Sequence, residues 1–482
     1  MYILMNKDVP ILKIKVTDGI LDKTYDIEEV YHPDLLPYGF ESPQNWLENR
    51  KGSKHNKHLK ELMRVCGCDK TEGFIKFTHA ASLIDTFWVK EEMESLTWSD
   101  VSFYTHEFNA VVSKLAFEGV GLYGIQLSNT SPELSTDGSF PKCWRRENNQ
   151  IYLYKRGISG YANSGLEPYC EAMASELANH LLRQNAITYD LCKIHDQIAS
   201  KCKLFTSEKE GYIPMVLFGE KKNWTANSLF EYFYKLGSED IFRRMLVFDA
   251  ISFNVDRHLG NIGVFVNNDT LQPQKIAPIF DFNLSLLPYA SIEELKHPGD
   301  YLLTQGPKIG EDFVEIAKKS MTSAIKAELI NMKGTHFSFQ GDDNFSPDRV
   351  YLIENLVNHQ ISAVLNREIF YTKDAFPISK EKEQEIRLHD TCQQLQNTLN
   401  VNTDLYFSMD EENSILISTF LDNDTAKDVD IVIDVKNKNI KISVDKISDC
   451  LQEVLTKIQN QIQDNAFHVI YDNCDQDISH DF

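Results

Sequence analysis

No apolar run in the 482-residue chain approaches the length needed to span a bilayer. The opening Met1-Tyr-Ile-Leu-Met-Asn-Lys-Asp8 also lacks the basic, apolar and small-residue order of a signal peptide. Neither a membrane-spanning helix nor a signal peptide is expected, and a cytoplasmic location is. Cysteine is scattered: of nine, only Cys66 and Cys68 are close. Without a second such pair or a neighbouring histidine, neither a zinc site nor a disulfide framework is indicated, and reduced, buried thiols are expected. Basic charge is scarce as well. Lys and Arg number 49 against 71 Asp and Glu, a net charge of −22, which argues against direct nucleic-acid binding. The deficit is uneven, since residues 379–482 carry 21 acidic against 9 basic side chains, more than half of the net charge. Lys51, Lys54, Lys57, Lys60 and Arg64 form the main basic stretch, read as a solvated helix face, with an acidic partner or an RNA surface as the alternative. Otherwise the composition is that of a globular protein large enough for two to four domains.

Against these absences stands Asn254-Val-Asp256-Arg-His258-Leu-Gly-Asn261, followed about twenty residues later by Phe280-Asp281-Phe282-Asn283. Metal-assisted phosphoryl transfer needs one carboxylate to orient the attacking hydroxyl, and an amide oxygen with a second carboxylate to hold Mg²⁺ on the nucleotide phosphates. The intervening residues read as a strand (Gly263–Val266), a turn at Asn267–Asp269 and a returning strand (Lys275–Phe280). That hairpin would bring Asn261 and Asp281 together. A plain polar loop is the competing reading of Asp256-Arg257-His258 alone.

Upstream, Lys155 ends an apolar strand (Gln150–Lys155), and a helix beginning near Glu167-Pro168 carries Glu171 and Glu176. A strand Lys facing a helix Glu is the ion pair that fixes the α- and β-phosphates in kinases. Glu171 is preferred, because Glu176 falls near the helix middle, where solvation is expected; a surface Lys and a dipole-favoured Glu are the ordinary alternative. Before that strand, Ser135-Thr-Asp137-Gly138-Ser139-Phe-Pro-Lys142 offers a glycine for close backbone approach and a lysine for charge, though a simple hairpin would look the same. Lys201–Thr206 reads as a strand whose end could hydrogen-bond adenine.

The remaining elements carry no chemistry. A strand over Ile11–Val16, a helix around His58–Cys66 and a strand or strand edge over Ser82–Lys90 are expected. Thr105 is expected to cap a helix His106–Phe117 closed by Gly119, and strand, loop, strand to run from Gly121 to Gly157. Helices Ser228–Leu236 and Glu239–Ser252 follow, separated by Gly237 and an N-cap at Ser238, the second burying Ile241, Met245, Phe248 and Ser252. Beyond Asp281 the chain reads as mostly helical to Tyr371. After a linker at Asp374–Ser379 come a polar helix (Lys380–Leu399), strands at Leu405–Ser408, Ile415–Thr419, Val429–Val435 and Ile440–Val444, a helix Ile447–Ile462, and an acidic, disordered tail from Asp472.

The motifs together resemble HipA-type kinases, the toxin components of bacterial toxin–antitoxin pairs. The resemblance rests on Asn254-x-Asp256-Arg-His258-x-x-Asn261, Asp281, Lys155 with Glu171, and Ser135-x-x-Gly138-x-x-x-Lys142, over roughly Gly121 to Tyr371. The Gln usual between that Gly and Lys is replaced by Phe140. The resemblance implies an α+β, bilobal protein-kinase-like fold with an N-terminal α/β subdomain (1–120), a kinase N-lobe (121–225) and a helical C-lobe (226–375). An extra acidic α+β domain (379–471) and tail (472–482) follow. It further implies a serine/threonine kinase using ATP and Mg²⁺, with Asp256 as the catalytic Asp and Asn261 and Asp281 as metal ligands. Lys155 would be the ATP lysine paired with Glu171, the Asp137–Lys142 loop (with Gly138 and Ser139) would cover the phosphates, and His258 and Asn261 would approach the nucleotide. Lys203 to Phe205 would form the hinge, and Ser135 would be autophosphorylated, with Ser131, Thr136 and Ser139 as competitors. The Asn at 283, where kinases have Gly, tolerates a left-handed backbone. Implied partners are a protein substrate such as an aminoacyl-tRNA synthetase or another translation protein, and a DNA-binding antitoxin. A lipid kinase, which shares the Asp-Arg-His-x-x-Asn loop, and a non-catalytic nucleotide-binding module are the rival readings. Against the first stands the absence of a basic membrane-facing helix.

Overall fold

Alternating apolar residues in the first hundred positions build a sheet, and the helices between its strands supply the cover. Strands β1 (Tyr2–Asn6), β2 (Val9–Asp18), β3 (Lys23–Val30) and β4 (Phe87–Glu91) pair antiparallel in the order β3-β2-β1-β4. Leu4, Leu12 and Ile14 are buried with Leu47, Leu62 and Phe74 from the helices Pro43–Arg50, Lys57–Val65 and Thr71–Thr78. The computed structural model describes residues 1–19, 23–52, 57–119, 131–160, 163–218, 224–380, 382–383 and 386, and five strands between 405 and 471. The chain separates into two compact units, Met1–Pro377 and Ile378–Phe482.

Two sequence expectations in this region shift. The helix expected from His106 starts at Ala110, and its cap is Asn109, whose side chain accepts the N–H groups of Val111 and Val112. The Arg146 guanidinium explains the delay: it binds the carbonyls of Phe103, Tyr104 and His106, holding that stretch out of helical geometry. Of Ser82–Lys90, only Phe87 onward is strand, and the residues before it form a loop.

The second sheet holds β5 (Lys142–Glu147), β6 (Gln150–Arg156), β7 (Tyr189–Ile194) and β8 (Gln197–Lys203) in the antiparallel order β5-β6-β8-β7. The helix Glu167–Leu182 packs against β7 and β8 through Met173, Leu177 and Leu181, all fully buried. A third sheet, β11-β10-β9, joins β9 (Glu210–Pro214) to the hairpin of β10 (Gly263–Asn267) and β11 (Pro273–Ile276), turned by the Asn267 side chain accepting from Asp269 and Thr270. Helices Ala226–Lys235, Glu239–Ile251, Phe313–Ser320 and Pro347–Leu365 surround the largest core. In Glu239–Ile251 every residue from Met245 to Ile251 is buried, whereas Ile241 is half-exposed. The helix is enclosed over its last two turns rather than along one stripe. Ser238 sits at its N-cap, but the hydroxyl accepts from the Ile276 N–H instead of capping.

The C-terminal unit is a sheet of β12 (Leu405–Met409), β13 (Ile415–Thr419), β14 (Val429–Asp434), β15 (Asn439–Ser443) and β16 (His468–Tyr471), antiparallel except for the parallel β15–β16 pair. The period-two pattern exposed four of these strands in the sequence; His468–Tyr471 carried no such signal. The helix Ile447–Ile462, the acidic tail, most of Lys380–Leu399 and the strand expected within 121–130 lie outside the described residues. No helix among the described residues is long and apolar enough to cross a membrane. The six described cysteines are free, and burial pushes the Cys66 thiol up to about 11 and that of Cys68 to about 12. Lys51 is not a solvated face: its ammonium binds Glu48, the Asp69 carbonyl and the Thr71 hydroxyl.

Candidate active site

The β5–β6 register places Lys142 directly opposite Lys155. Like charges facing across a strand pair repel, so the position is unfavourable unless anions surround it. They do. The Lys155 ammonium lies 2.7 Å from Glu171 Oε1 and 2.7 Å from Asp281 Oδ1. Burial alone would pull Lys155 down, but the Asp281 and Glu171 carboxylates reverse this and hold it well above its ordinary value. Glu171 is fully buried and accepts from the Ser200 hydroxyl and, at 3.3 Å, from the Phe282 N–H. Glu176 instead reaches Ser338, binding its N–H and hydroxyl. Lys142 has no such carboxylate in contact; burial first and Lys155 second pull it down to about 8. Its ammonium donates to the Asp137 carbonyl at 2.6 Å.

Asp281 reaches Lys155 because the segment before it runs beside the end of the helix Glu167–Leu182. Ile279 donates to Asn185 O and accepts from Ile187 N, closing a parallel bridge. Asp281 adopts φ 61°, a left-handed conformation that Asp tolerates better than most residues. The left-handed position is thus Asp281 itself, not Asn283, which is buried with an ordinary backbone. Burial pushes the Asp281 carboxyl up, but Lys155 and Lys142 outweigh it and leave the group ionised below the usual carboxylate range.

The Asp256 loop starts where the helix Glu239–Ile251 ends. Phe253 takes φ 52°, a position that normally favours glycine, and its ring is locked between Phe313 and Phe376. Asp249, buried in the last helical turn, then organises the loop. It accepts from Asn254 Nδ2 at 2.9 Å and from the Arg257 guanidinium at 3.0–3.3 Å. Arg257, almost fully buried, also donates to the carbonyls of Asn261 and Phe280, so one guanidinium ties the Asp256 loop to the residue preceding Asp281. Asn254 Oδ1 accepts the Asp256 N–H at 3.0 Å, and Asn261 Nδ2 donates to the Asp256 carbonyl at 3.1 Å. That bond uses the Asn261 amide nitrogen and not its amide oxygen. The His258 ring sits beside Asp256, Nε2 to Oδ2 3.9 Å, while its Nδ1 accepts the Gly260 N–H. Burial raises the half-buried Asp256 carboxyl; His258 and Lys308 oppose this and Asp281 reinforces it.

The segment leading into β5 begins in a single 3₁₀ turn, Pro132–Ser135. Gly138 has φ 106°, a backbone that residues with a side chain rarely adopt, whereas the Lys142 ammonium 2.1 Å from a Cβ there could swing aside. Ser139 is exposed at the tip. The Ser135 hydroxyl donates to Ala81 O at 2.7 Å and Pro132 O at 3.3 Å. Of its competitors, Ser131 is fully buried against Glu133, and Thr136 bridges Pro132 O and Trp144 Nε1. Lys203 ends β8 and is exposed, whereas Phe205 packs on Tyr212, Phe265 and Phe280. A surface hollow of about 430 Å³ beside them is lined by Tyr104, Arg146, Ile151, Lys203, Leu204 and Thr206. None of Lys155, Asp256, Asn261 or Asp281 lines it, so it is separate from the cluster around Lys155.

Three contributors escaped the sequence reading: Asp249, Ser200 and Lys308. An acidic residue inside the apolar run Met245–Ile251 was the available signal for Asp249. The other two act through tertiary proximity and left none. Among the described residues no group of three His, Cys, Asp or Glu side chains is placed to hold a metal. Mg²⁺ is commonly bound by one or two carboxylates plus substrate phosphates, and ionised Asp281 with the Asn261 amide oxygen is a donor set of that kind.

No protein-family model and no curated protein matches the sequence. Among solved structures, the chain is similar to the Helicobacter pylori proinflammatory kinase CtkA, with 18% identity over 47% of this chain and 94% of that one (TM-score 0.36). It is also similar to a chain of the Shewanella oneidensis MR-1 toxin–antitoxin complex of HipA, HipB and operator DNA, with 13% identity over 79% of this chain and 100% of that one (TM-score 0.43).

Proposed function

We propose that the chain is an ATP- and Mg²⁺-dependent serine/threonine protein kinase of HipA type. The observation that carries the reading is the cross-strand pair Lys142–Lys155 beside ionised Asp281: two cations and a carboxylate that an incoming metal–polyphosphate would complement. In this reading Lys155, oriented by Glu171, and Lys142 neutralise phosphate oxygens, and the loop Asp137–Lys142 covers them. Asp256 takes the hydrogen bond of the acceptor hydroxyl, and His258 steadies it. Mg²⁺, when bound through Asn261 and Asp281, would supply charge stabilisation to the phosphates. Lys203–Phe205 remain the proposed adenine hinge. A translation protein such as an aminoacyl-tRNA synthetase as substrate and a DNA-binding antitoxin as partner follow from the motif resemblance, and a cytoplasmic location is part of the same reading.

The test is intact mass after incubation with ATP and Mg²⁺. A species heavier by one phosphoryl group, mapping to Ser135, is the expected result. Ser135 now acts as a hydrogen-bond donor to two carbonyl oxygens. A phosphoryl ester brings charge of about −1.5 to −2 and no donor, so it would be repelled from both, and the modified fraction should lose ATP affinity. Transfer to anionic lipid vesicles but never to protein would instead favour a lipid kinase.

Lys142 makes a second prediction. With its pKa near 8 in the free protein, it loses its proton as pH rises through that value. Bound phosphate favours the ammonium, so ATP binding takes up a proton and affinity falls between about pH 7 and about pH 9. Calorimetry in buffers of different ionisation enthalpy reads the uptake directly. Lys142→Arg should flatten the dependence, and zero uptake near pH 8 in the wild type would contradict the assignment.

A further inference from the structure

The loop between the helix Thr71–Thr78 and β4 touches the phosphate loop, the hinge and the strand that reaches the catalytic loop. Ala81 O accepts the Ser135 hydroxyl at 2.7 Å. Leu83 O accepts from Tyr104 and Thr206, and Ile84 O accepts the Tyr212 N–H at 2.7 Å. Tyr212 in turn donates its hydroxyl to Gly260 O at 2.9 Å, two residues from His258, and packs against Phe280. These are four carbonyl acceptors, at 81, 83, 84 and 260, joined by four donor residues, Tyr104, Ser135, Thr206 and Tyr212.

One side chain holds this loop. Arg50, buried at the end of the helix Pro43–Arg50, donates Nε to Ala80 O and Nη2 to Phe87 O, both at 3.0 Å. It forks onto the Asp85 carboxylate through both terminal nitrogens and lies 4.9 Å over the Trp46 ring. The loop's entry is conformationally costly, since His79 and Ala80 both have φ near 50°. A fork that satisfies the carbonyls on either side of the loop keeps it in that shape.

We infer that residues 80–85 form a strap, set by Arg50, that positions the phosphate loop and the hinge relative to each other, making Arg50 a positioning residue for nucleotide. This rests on the phosphotransfer reading for its function, but not for its mechanics. The Gly52 N–H bonded to Leu134 O at 2.8 Å, with Leu134 buried among the first sheet's core residues, adds a second attachment one residue from Ser135.

The experiment is hydrogen–deuterium exchange on the full chain, wild type against Arg50→Met, with ATP KM and kcat alongside. The strap requires that peptides covering 132–142 and 203–212 gain exchange together, although neither contains a contact of Arg50. KM for ATP should rise about tenfold with kcat changed by less than about twofold. Ser135→Ala should add little in the Arg50→Met background, because Arg50 fixes the Ala80 carbonyl and thereby the adjoining Ala81 carbonyl that Ser135 binds. Increased exchange confined to residues 79–90 would overturn the strap, as would an additive Ser135→Ala effect. If Arg50→Met does not fold, Asp85→Asn, which keeps the shape and weakens the fork, must show the same paired exchange in smaller measure; its absence also overturns the strap. A wild type without transfer activity would defeat the kinase reading and leave the exchange result to decide the strap.

Discussion

Asp256→Gln should lower phosphoryl transfer by about 10²- to 10⁴-fold, the range of a lost general base, while ATP affinity stays within about threefold. The asymmetry follows from the geometry. Asp256 makes its loop contacts through backbone atoms: its N–H binds Asn254 and its carbonyl receives Asn261. The carboxylate is half-buried, 3.9 Å from His258, and takes no part in holding Lys155, Glu171 or Asp281. Removing its charge therefore leaves Lys142, Lys155 and both proposed metal ligands in place. Single-turnover transfer and calorimetric ATP binding on the same preparation separate the two effects. Near-normal transfer would remove Asp256 from the mechanism, and equal loss of binding and transfer would make it a structural residue.

How much of this site was legible beforehand depended on how local each signal was. Lys155, Glu171, Asp256, Asn261 and Asp281 were read from spacing along the chain, and the structure brings Lys155, Glu171 and Asp281 into contact and ties the segments of Asn261 and Asp281 through Arg257. Short-range order also explains why the β10–β11 hairpin, the helix Glu167–Leu182 and four C-terminal strands were visible as periodic patterns. What was misplaced lies where a distant side chain overrides a local preference. Thr105 is a reasonable cap until Arg146 takes the carbonyls around it. Ser238 is a reasonable cap until Ile276 takes its hydroxyl. Ser82–Ile84 would extend a strand were its carbonyls not pulled toward Tyr104, Thr206 and Tyr212. Asn283 was the obvious left-handed residue by type, yet the Lys155 pairing places that turn at Asp281.

Asp249 is where stability and activity should fail together. Its carboxylate is the counter-charge for Arg257, and both side chains are about 97% or more buried. Asp249→Ala would leave that guanidinium without its partner in the core, a change that costs about 3–5 kcal/mol when one member of a buried pair is removed. All five tryptophans lie between Trp46 and Trp224, so the denaturant midpoint read by tryptophan fluorescence reports on the unit Met1–Pro377. Asp249→Asn keeps the volume and one acceptor for Asn254 and Arg257, so its loss should be smaller, about 1.5–3 kcal/mol, the range for a hydrogen bond to a charged group. Transfer should fall in both, and further in Asp249→Ala, because the bond that orients Asn254 and, through it, the Asp256 N–H is lost there and only weakened in Asp249→Asn. If Asp249→Asn keeps full activity despite reduced stability, the Asp249 charge serves only to neutralise Arg257. If Asp249→Ala unfolds at the wild-type midpoint, the buried pair contributes nothing, and Arg257 must hold the two loops through the Asn261 and Phe280 carbonyls alone.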